Sequence, residues 1–452
     1  MKLIAIILAA GQGTRMRSKL TKVLHPLGGK PMIRYSVENA LRISGEKPIV
    51  VVGHGAEQVK QLLGDEVRFV EQTPQLGTGH AVLQVLPHLS GEEDLVLIMA
   101  ADMPLFHYET LKQLVEMQQH HAGPITLVSV GGDDSRGFGR VIRDVQGQVC
   151  SVIEEAQATP DELRIREYNT SVYCFSAKWL TANLSRIPLS PKGEYYLTDL
   201  VGIAIQDGLS VQALKLTDNS EAIGINTRIH LAEAEAVLRQ RINQQWMMAG
   251  VTIIDPTTTY IESDVVLGMD TTIHPNTIIR GKTEIGENCC IGPNSVIRDA
   301  HIGNRCKVFA SVVEKAIMED DVDIGPFGHL RSGAHLAQGV HMGNFGEVKN
   351  SYLGPGSKMG HFSYLGDATL GAKVNVGAGT ITCNYDGEKK NHTEIGDCVF
   401  LGSDTMLVAP VKIGEGGHTG AGAVVTKDIP DYSLAVGVPA RVIRKLEKRG
   451  QT

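Results

Sequence analysis

Three groups of residues in this chain have types and spacing suited to handling phosphate or protons. The first is Ala9-Ala10-Gly11-Gln12-Gly13-Thr14-Arg15-Met16, which follows the apolar run Ile4–Leu8, with Lys22 six residues beyond it. Residues with little or no side chain let main-chain N–H groups approach phosphate oxygens, and Arg15 and Lys22 add positive charge. There is no third glycine for G-x-G-x-x-G and no G-K-[ST], so neither common phosphate motif applies. The second group is Arg331 and Lys349, 18 residues apart, each following a periodic aliphatic residue. Stacked cations repel unless an anion or a carboxylate stands between them. A sugar phosphate or a surface ion pair would each serve. The third group is His329, His335, His341 and His418, each preceding an inward residue of the six-step ladder. A step of six sends consecutive members to three different faces. One chain therefore cannot gather them around a metal, and they are expected to be corner residues with no zinc.

The element that positions the second and third groups is the periodicity itself. Met318, Ile324, Leu330, Leu336, Met342 and Val348 are six apart, as are Ile395, Leu401, Leu407, Ile413, Thr419 and Val425. Between them the step continues through Leu353, Met359 and Leu365, then Leu370 and Val376, each new run starting one residue early. Six matches neither a helix nor the spacing of hairpin strands. It matches short strands joined by tight turns, three to a triangular coil, with coils stacked on a continuous core. An aliphatic followed by glycine recurs (Ile285-Gly286, Leu353-Gly354, Leu401-Gly402), and glycine is expected there for the backbone angles of the corner. This predicts a parallel β-helix from about Val251 to Val438.

The phosphate loop needs a different scaffold. Ile4–Leu8, Pro48–Val52, Leu95–Ala100 and Ile125–Val130 are continuous aliphatic runs, as parallel strands covered on both faces should be. Amphipathic stretches such as Met32–Leu41 and Glu57–Leu63 lie between them. This predicts a doubly wound α/β domain over residues 1–227, with ligands at the carboxyl ends of its strands. Leu231, Ala234, Leu238, Ile242 and Trp246 then follow helical spacing up to Gly250, predicting a helical linker over 228–250. The remainder, 251–452, is the solenoid with a basic tail, Arg441–Arg449, expected to form a short helix. One insertion, Cys383–Thr393, must leave the coil as a loop, and in solenoids such loops often build the binding face.

Composition narrows the class. A chain of 452 residues exceeds one core, and 50 glycines with 5% aromatic residues suit a solenoid of thin strands. A net charge of −7 gives no broad surface for nucleic acid or anionic membrane. The seven cysteines include no C-x-x-C pair and read as reduced thiols of a cytoplasmic protein. Leu3–Ala10 is too short for a signal core and runs into the glycine loop, and nothing approaches transmembrane length.

The full string L-A-A-G-x-G-T-R-M followed by Lys22 resembles the signature of sugar-1-phosphate nucleotidylyltransferases. The resemblance implies that Leu8, Ala9, Ala10 and Gly11 line the substrate, and that Arg15 and Lys22 are catalytic. Gln72, with Gln75-Leu76-Gly77-Thr78-Gly79-His80-Ala81, resembles the segment that recognises the base, so Gln72, Gly77 and Thr78 would contact uracil. Asp102 resembles the strand-end Mg²⁺ ligand, and Asn226 would complete the metal site. Gly139, Glu154, Asn169 and Asn226 match positions that hold the sugar. After Glu154 the family usually continues Lys-Asp-Ala, where this chain has Glu155-Ala156-Gln157-Ala158. The reaction implied is in-line attack of a sugar 1-phosphate on the α-phosphorus of UTP, releasing pyrophosphate.

With the solenoid added, the whole chain resembles the bifunctional N-acetylglucosamine-1-phosphate uridylyltransferase/glucosamine-1-phosphate acetyltransferase family. That family has a pyrophosphorylase domain, a helical arm and a left-handed β-helix. The resemblance implies that Arg331, Lys349, Tyr364, Asn375 and Lys390 hold the sugar phosphate. His361, in G-H-F-S-Y-L-G-D, matches the general base, with Glu347 its polarising partner and Asn384-Tyr385 beside it. Ala378, Ser403 and Ala421 match acetyl-CoA contacts. Known members carry an arginine where this chain has Val438, so Arg441 is expected to substitute for it. A homotrimer making UDP-N-acetylglucosamine for peptidoglycan and lipopolysaccharide precursors is implied, with Mg²⁺ as cofactor and acetyl-CoA and UTP as co-substrates.

Overall fold

The computed structural model describes residues 2–447. The chain forms two compact units that divide between Leu238 and Arg239. In the first, a sheet runs in the order Val211–Lys215, Ile125–Gly131, Glu167–Ser176, Leu95–Ala100, Leu3–Ala9, Ile49–Val52, Arg68–Glu71. Its strands are parallel except Glu167–Ser176, which is antiparallel to both neighbours. Strand Leu3–Ala9 is apolar throughout because both its faces are covered. Ile4 and Ile6 lie in one buried cluster, Ala5 and Ile7 in the other. The hairpin of Arg140–Arg143 and Val149–Ile153 hangs from the antiparallel strand. From Leu3–Ala9 the chain goes first to the strand on one side and later to Leu95–Ala100 on the other. The loops after Ala9 and Ala100 therefore diverge, and a crevice opens at the carboxyl ends of both strands.

Helix Arg228–Met248 runs through the point where the units divide. In its first half Ala234 is buried in the first unit's core, with Leu231 and Leu238 packed against it. In its second half Asn243 is fully buried, donating its side-chain amide to Pro256 O (2.9 Å) and Thr259 O (3.1 Å) of the following coil.

The second unit is a parallel β-helix whose three sheets contain 12, 10 and 9 strands among the described residues. Residues 16 to 18 apart stand side by side in successive coils, as in Leu330↔Val348, Val348↔Leu365, Met342↔Met359 and Leu353↔Leu370. The aliphatic ladder is the buried core, from Met318 through Val425. Thr382 keeps the inward position across the insertion, pairing with Leu407 and satisfying its hydroxyl on Gly366 N (2.7 Å) and O (3.0 Å). Small residues stand two before many of the inward ones; Thr277 and Thr283 cap the corner carbonyls of His274 and Arg280.

Three local expectations are corrected. Most glycines after an aliphatic do not have left-handed angles; that conformation falls on asparagines and aspartates such as Asn276, Asn288, Asp321 and Asn350. Glycine is needed for closeness instead. A Cβ on Gly354 would stand 2.4 Å from the backbone of Gly371 in the next coil, and one on Gly402 would be 2.6 Å from Thr419 O. The histidines are strand residues rather than corner residues, on three different sheets. His329, His335 and His341 pair with Glu314 (3.4 Å), Glu319 (2.8 Å) and Asp323 (2.6 Å) of the preceding coil. The tail is not helical either: Arg441–Lys445 is a strand, antiparallel to Ser433–Val436, that ends one sheet. Residues 448–452 lie outside the described residues.

The glycine contacts give a stability prediction. Gly354→Ala forces backbone against backbone and should cost about 2 kcal/mol or more of the second unit's stability. Gly360→Ala meets nothing within 4 Å and has no left-handed φ. It should be neutral to within about 0.5 kcal/mol. Thermal unfolding of the two variants side by side measures the difference.

Candidate functional sites

At the crevice of the first unit lies a cavity of about 680 Å³. Leu8, Ala9, Ala10 and Gly11 from the first strand and its loop line it, with Arg15, Lys22, Gln72, Gly77, Thr78, Asp102, Glu154 and Asn226. Gly13 has a left-handed φ of 62°, and a Cβ there would be 2.6 Å from that of Lys22. The loop thus closes only with glycine, and closing it brings Lys22 inward. Its ammonium pairs with Asp102 and lies 2.9 Å from Asn226 Oδ1. A carboxylate and an amide oxygen from distant segments therefore converge on one cation.

Glu154 accepts from Thr198 Oγ1 at 2.9 Å, and burial pushes its carboxyl above the usual carboxylate range. Gly139 and Asn169 do not line the cavity but stand one layer behind it. Asn169 is buried, donates to Tyr173 OH at 2.6 Å and accepts from Ser171 N at 3.3 Å, while its own N–H goes to Gly139 O. Tyr173 and Ser171 are the residues that reach the cavity. Sequence reasoning missed them, and also Thr198, because they come from the antiparallel strand and from a loop with no phosphate-like composition. That loop is held over Gly77 by backbone bonds, Gly79 N to Tyr195 O and Tyr195 N to Leu76 O, both 2.8 Å. Glu155, at the departure from the resembling family, is engaged with Ser135 Oγ (2.6 Å) and Arg140 (2.7 Å).

Elsewhere in this unit His107, Asp218 and Glu221 come within metal-binding reach of one another. The Glu221 carboxylate, however, caps helix Tyr108–His120, accepting from His107 N at 2.8 Å and Thr110 Oγ1 at 3.0 Å.

In the second unit a cationic group sits on one sheet. Arg331 and Lys349 follow the register partners Leu330 and Val348, and Tyr364 lies on the next coil. A carboxylate does stand beside the stacked cations: Glu347 accepts from Arg331 at 2.7 Å. Glu347, which the resemblance makes the polarising partner of His361, has His329 and Tyr364 as register neighbours and is bonded to Arg331. The Lys390 ammonium, and after it Arg331, hold Lys349 below the usual lysine range. Lys390 comes from the insertion, a hairpin loop closed by a Tyr385↔Lys390 bridge. Backbone N–H groups of Lys389 and Glu388 hold Asp386 of that loop down to about 2. Asn384 and Asn350 donate to Asp367; burial alone would raise that carboxyl, but these bonds and the nearby lysines keep it low. Tyr385 is exposed and spends its hydroxyl on Gly387 O. Neither Asn384 nor Tyr385 bonds to His361.

His361 is exposed at a corner of the β-helix. By register, that corner column continues through Ala378, Ser403 and Ala421 in the coils that follow. Glycines at the preceding positions let these coils touch: a Cβ on Gly377 would be 2.6 Å from Ser403 N, and one on Gly402 2.8 Å from Ala421 N. Arg441 is exposed on the terminal strand opposite Val436, near the end of this column. Asn375 pairs with Lys358 and Phe400, on a different sheet from Arg331, Lys349 and Tyr364.

Residues 5–184 match the MobA-like NTP transferase domain family. Residues 264–299 match the bacterial transferase hexapeptide family (six repeats), and 393–427 the hexapeptide repeat of succinyl-transferase. The chain is 47% identical over 445 residues to the bifunctional protein GlmU of Geobacillus thermodenitrificans, covering 98% of this chain and 97% of that one. It is 45% identical over 445 residues to that of a Geobacillus species, with the same coverage. With that of Geotalea uraniireducens it shares 46% over 454 residues, 99% of both chains.

The Glu154 carboxyl gives a pH prediction. Its raised pKa means that the folded chain holds a proton the unfolded chain has already lost, so the first unit loses stability as pH rises from the ordinary glutamate range through the folded value. Glu154→Gln should therefore unfold at a higher temperature than the parent at pH 7. The gain should vanish once pH falls below the ordinary glutamate range, as followed by thermal melts across pH.

Proposed function

The chain belongs to the family of bifunctional GlmU proteins, and on that premise we propose how its residues divide the work. It is an enzyme of UDP-N-acetylglucosamine synthesis, joining uridylyl transfer by an NTP-transferase domain to acetyl transfer by a left-handed hexapeptide β-helix. We assign uridylyl transfer to residues 1–227, a helical linker to 228–250 and acetyl transfer to 251–452. The observation that carries the division is the presence, in separate units, of a glycine-loop cavity around Lys22 and a cationic ladder near the His361 corner.

In the first site, loop N–H groups with Arg15 and Lys22 neutralise the triphosphate, and Glu154 and Asn226 hold the sugar. Gly139 and Asn169 support the sugar wall through Tyr173 and Ser171. Gln72, Gly77 and Thr78 read uracil. A sugar 1-phosphate oxygen attacks the α-phosphorus in line and pyrophosphate leaves, with positioning and charge as the protein's contribution. Asp102 and Asn226 would hold Mg²⁺. Their two hard oxygens already converge on a cation, and a small number of protein oxygens completed by substrate phosphates suits this ion. When bound, Mg²⁺ supplies charge neutralisation on the phosphate oxygens.

In the second site, Arg331, Lys349, Lys390 and Tyr364 receive the phosphate of glucosamine 1-phosphate. An anion there relieves the repulsion that holds Lys349 low. His361 as neutral imidazole takes a proton from the amine as nitrogen attacks the thioester carbonyl, and the coenzyme A thiolate leaves. Ala378, Ser403 and Ala421 offer a column of small side chains for acetyl-CoA, with Arg441 toward its phosphates. Asn375, on another sheet, would serve the site of a neighbouring copy in a homotrimer working in the cytoplasm. No described helix is long and apolar enough to cross a membrane.

Mass-spectrometric analysis of products from glucosamine 1-phosphate, acetyl-CoA, UTP and Mg²⁺ tests the whole reading; UDP-N-acetylglucosamine should form. Lys22→Ala should abolish uridylyl transfer while acetyl transfer continues. Loss of both in a folded protein would defeat the two-site assignment. For the shared site, mixing His361→Ala with Asn375→Ala chains and letting subunits exchange should restore part of the acetylation. A fully active monomer would exclude sharing.

A further inference from the structure

Gln72 is buried in the wall of the first cavity. Its amide nitrogen meets two partners, Gly77 O at 2.9 Å and His80 Nδ1 at 3.1 Å. A carbonyl oxygen only accepts, so the group facing Gly77 must be the NH₂ and not the amide oxygen. The same NH₂ then donates to His80, whose Nδ1 is the bare nitrogen of the ring. The ring proton then belongs on Nε2, which the Gln84 amide nitrogen faces at 3.1 Å, so this second amide must turn its oxygen to the ring to accept it. This gives up a weaker contact of the Gln84 nitrogen with His80 O at 3.3 Å. Gln72 Oε1 has no bond within the chain and is not among the sealed, unpartnered atoms, so it is the atom left open to the cavity.

We propose that His80, as a second acceptor beside Gly77 O, holds the direction of the Gln72 amide, so that the first site presents a hydrogen-bond acceptor to the base edge. Such a wall selects a pyrimidine with a ring N–H between two carbonyls. It rejects the cytosine pattern, whose ring nitrogen at that place carries a lone pair facing another lone pair. His80 does not line the cavity and is a positioning residue. It is held in helix Thr78–Leu83 with its ring stacked on Tyr195, centroids 6.3 Å apart. Without it, Gly77 O alone restrains the amide, and a half-turn would convert the acceptor into a donor. The inference rests on the reading that Gln72 faces the base.

The test is kcat/KM for UTP and for CTP, with full-length chain and N-acetylglucosamine 1-phosphate as acceptor. His80→Ala should lower the UTP:CTP ratio by about tenfold or more, chiefly through loss of UTP use, since a site built to bond an N–H discriminates by at least that much. His80→Asn, whose amide oxygen can stand near the lost Nδ1, should keep the ratio within about threefold of the parent. Equal losses with both nucleotides in His80→Ala would overturn the proposal and leave His80 a packing residue. Gln72→Ala separates the underlying reading: an unchanged ratio in that variant means Gln72 does not read the base, and the role of His80 falls with it. A collapsed ratio in Gln72→Ala beside an intact one in His80→Ala overturns the role of His80 alone.

Discussion

Backbone contact between coils is the constraint on which the second unit depends. The three parallel sheets require successive coils to approach within hydrogen-bonding distance on every face. At corners such as Gly354 and Gly402 even a Cβ would collide with the coil beyond. This stacking converts separations of 16 to 18 residues into direct neighbours. Arg331, Lys349 and Tyr364 come to share a face, and the corner of His361 continues into Ala378, Ser403 and Ala421. Helices and hairpins bring together residues only a few positions apart. A coil stack instead builds a site as a column.

A rigid column can also hold like charges together. Lys349 stands beside both Lys390 and Arg331, and Lys349 is depressed as a result. Flexible surface side chains would separate, since exposed charges gain little by staying close. Here Lys349 and Arg331 grow from stacked strands, while Lys390 is brought by a hairpin whose turn Asp386 ties with backbone bonds. Glu347 and Asp367 supply part of the compensation.

The first unit solves the same problem with a sheet. Its central strand is buried on both faces, so the loop leaving Ala9 is anchored from below. Gly13 then turns it tightly enough for Lys22 to reach Asp102 and Asn226. At the cavity wall, Asn169 holds Tyr173 and Thr198 holds Glu154, so this wall is set by side-chain hydrogen bonds.

Periodicity and local composition were enough to determine the architecture. The step of six specified the β-helix because one inward aliphatic per face is a local requirement of every coil. The apolar runs specified buried strands, and the residues of the glycine loop follow one another directly. What only the tertiary structure decided lies between segments. The ladder already put Arg331 and Lys349 together and left a sugar phosphate or an ion pair between them; the fold supplied Glu347, bonded to Arg331. It set Asn169 behind Tyr173, because strand Glu167–Ser176 shifts its register between these two residues. It turned the tail into an edge strand, because Ser433–Val436 offered unpaired backbone groups at the end of a sheet. Each depends on which backbone lies next to which and in what register, which periodicity and composition do not state.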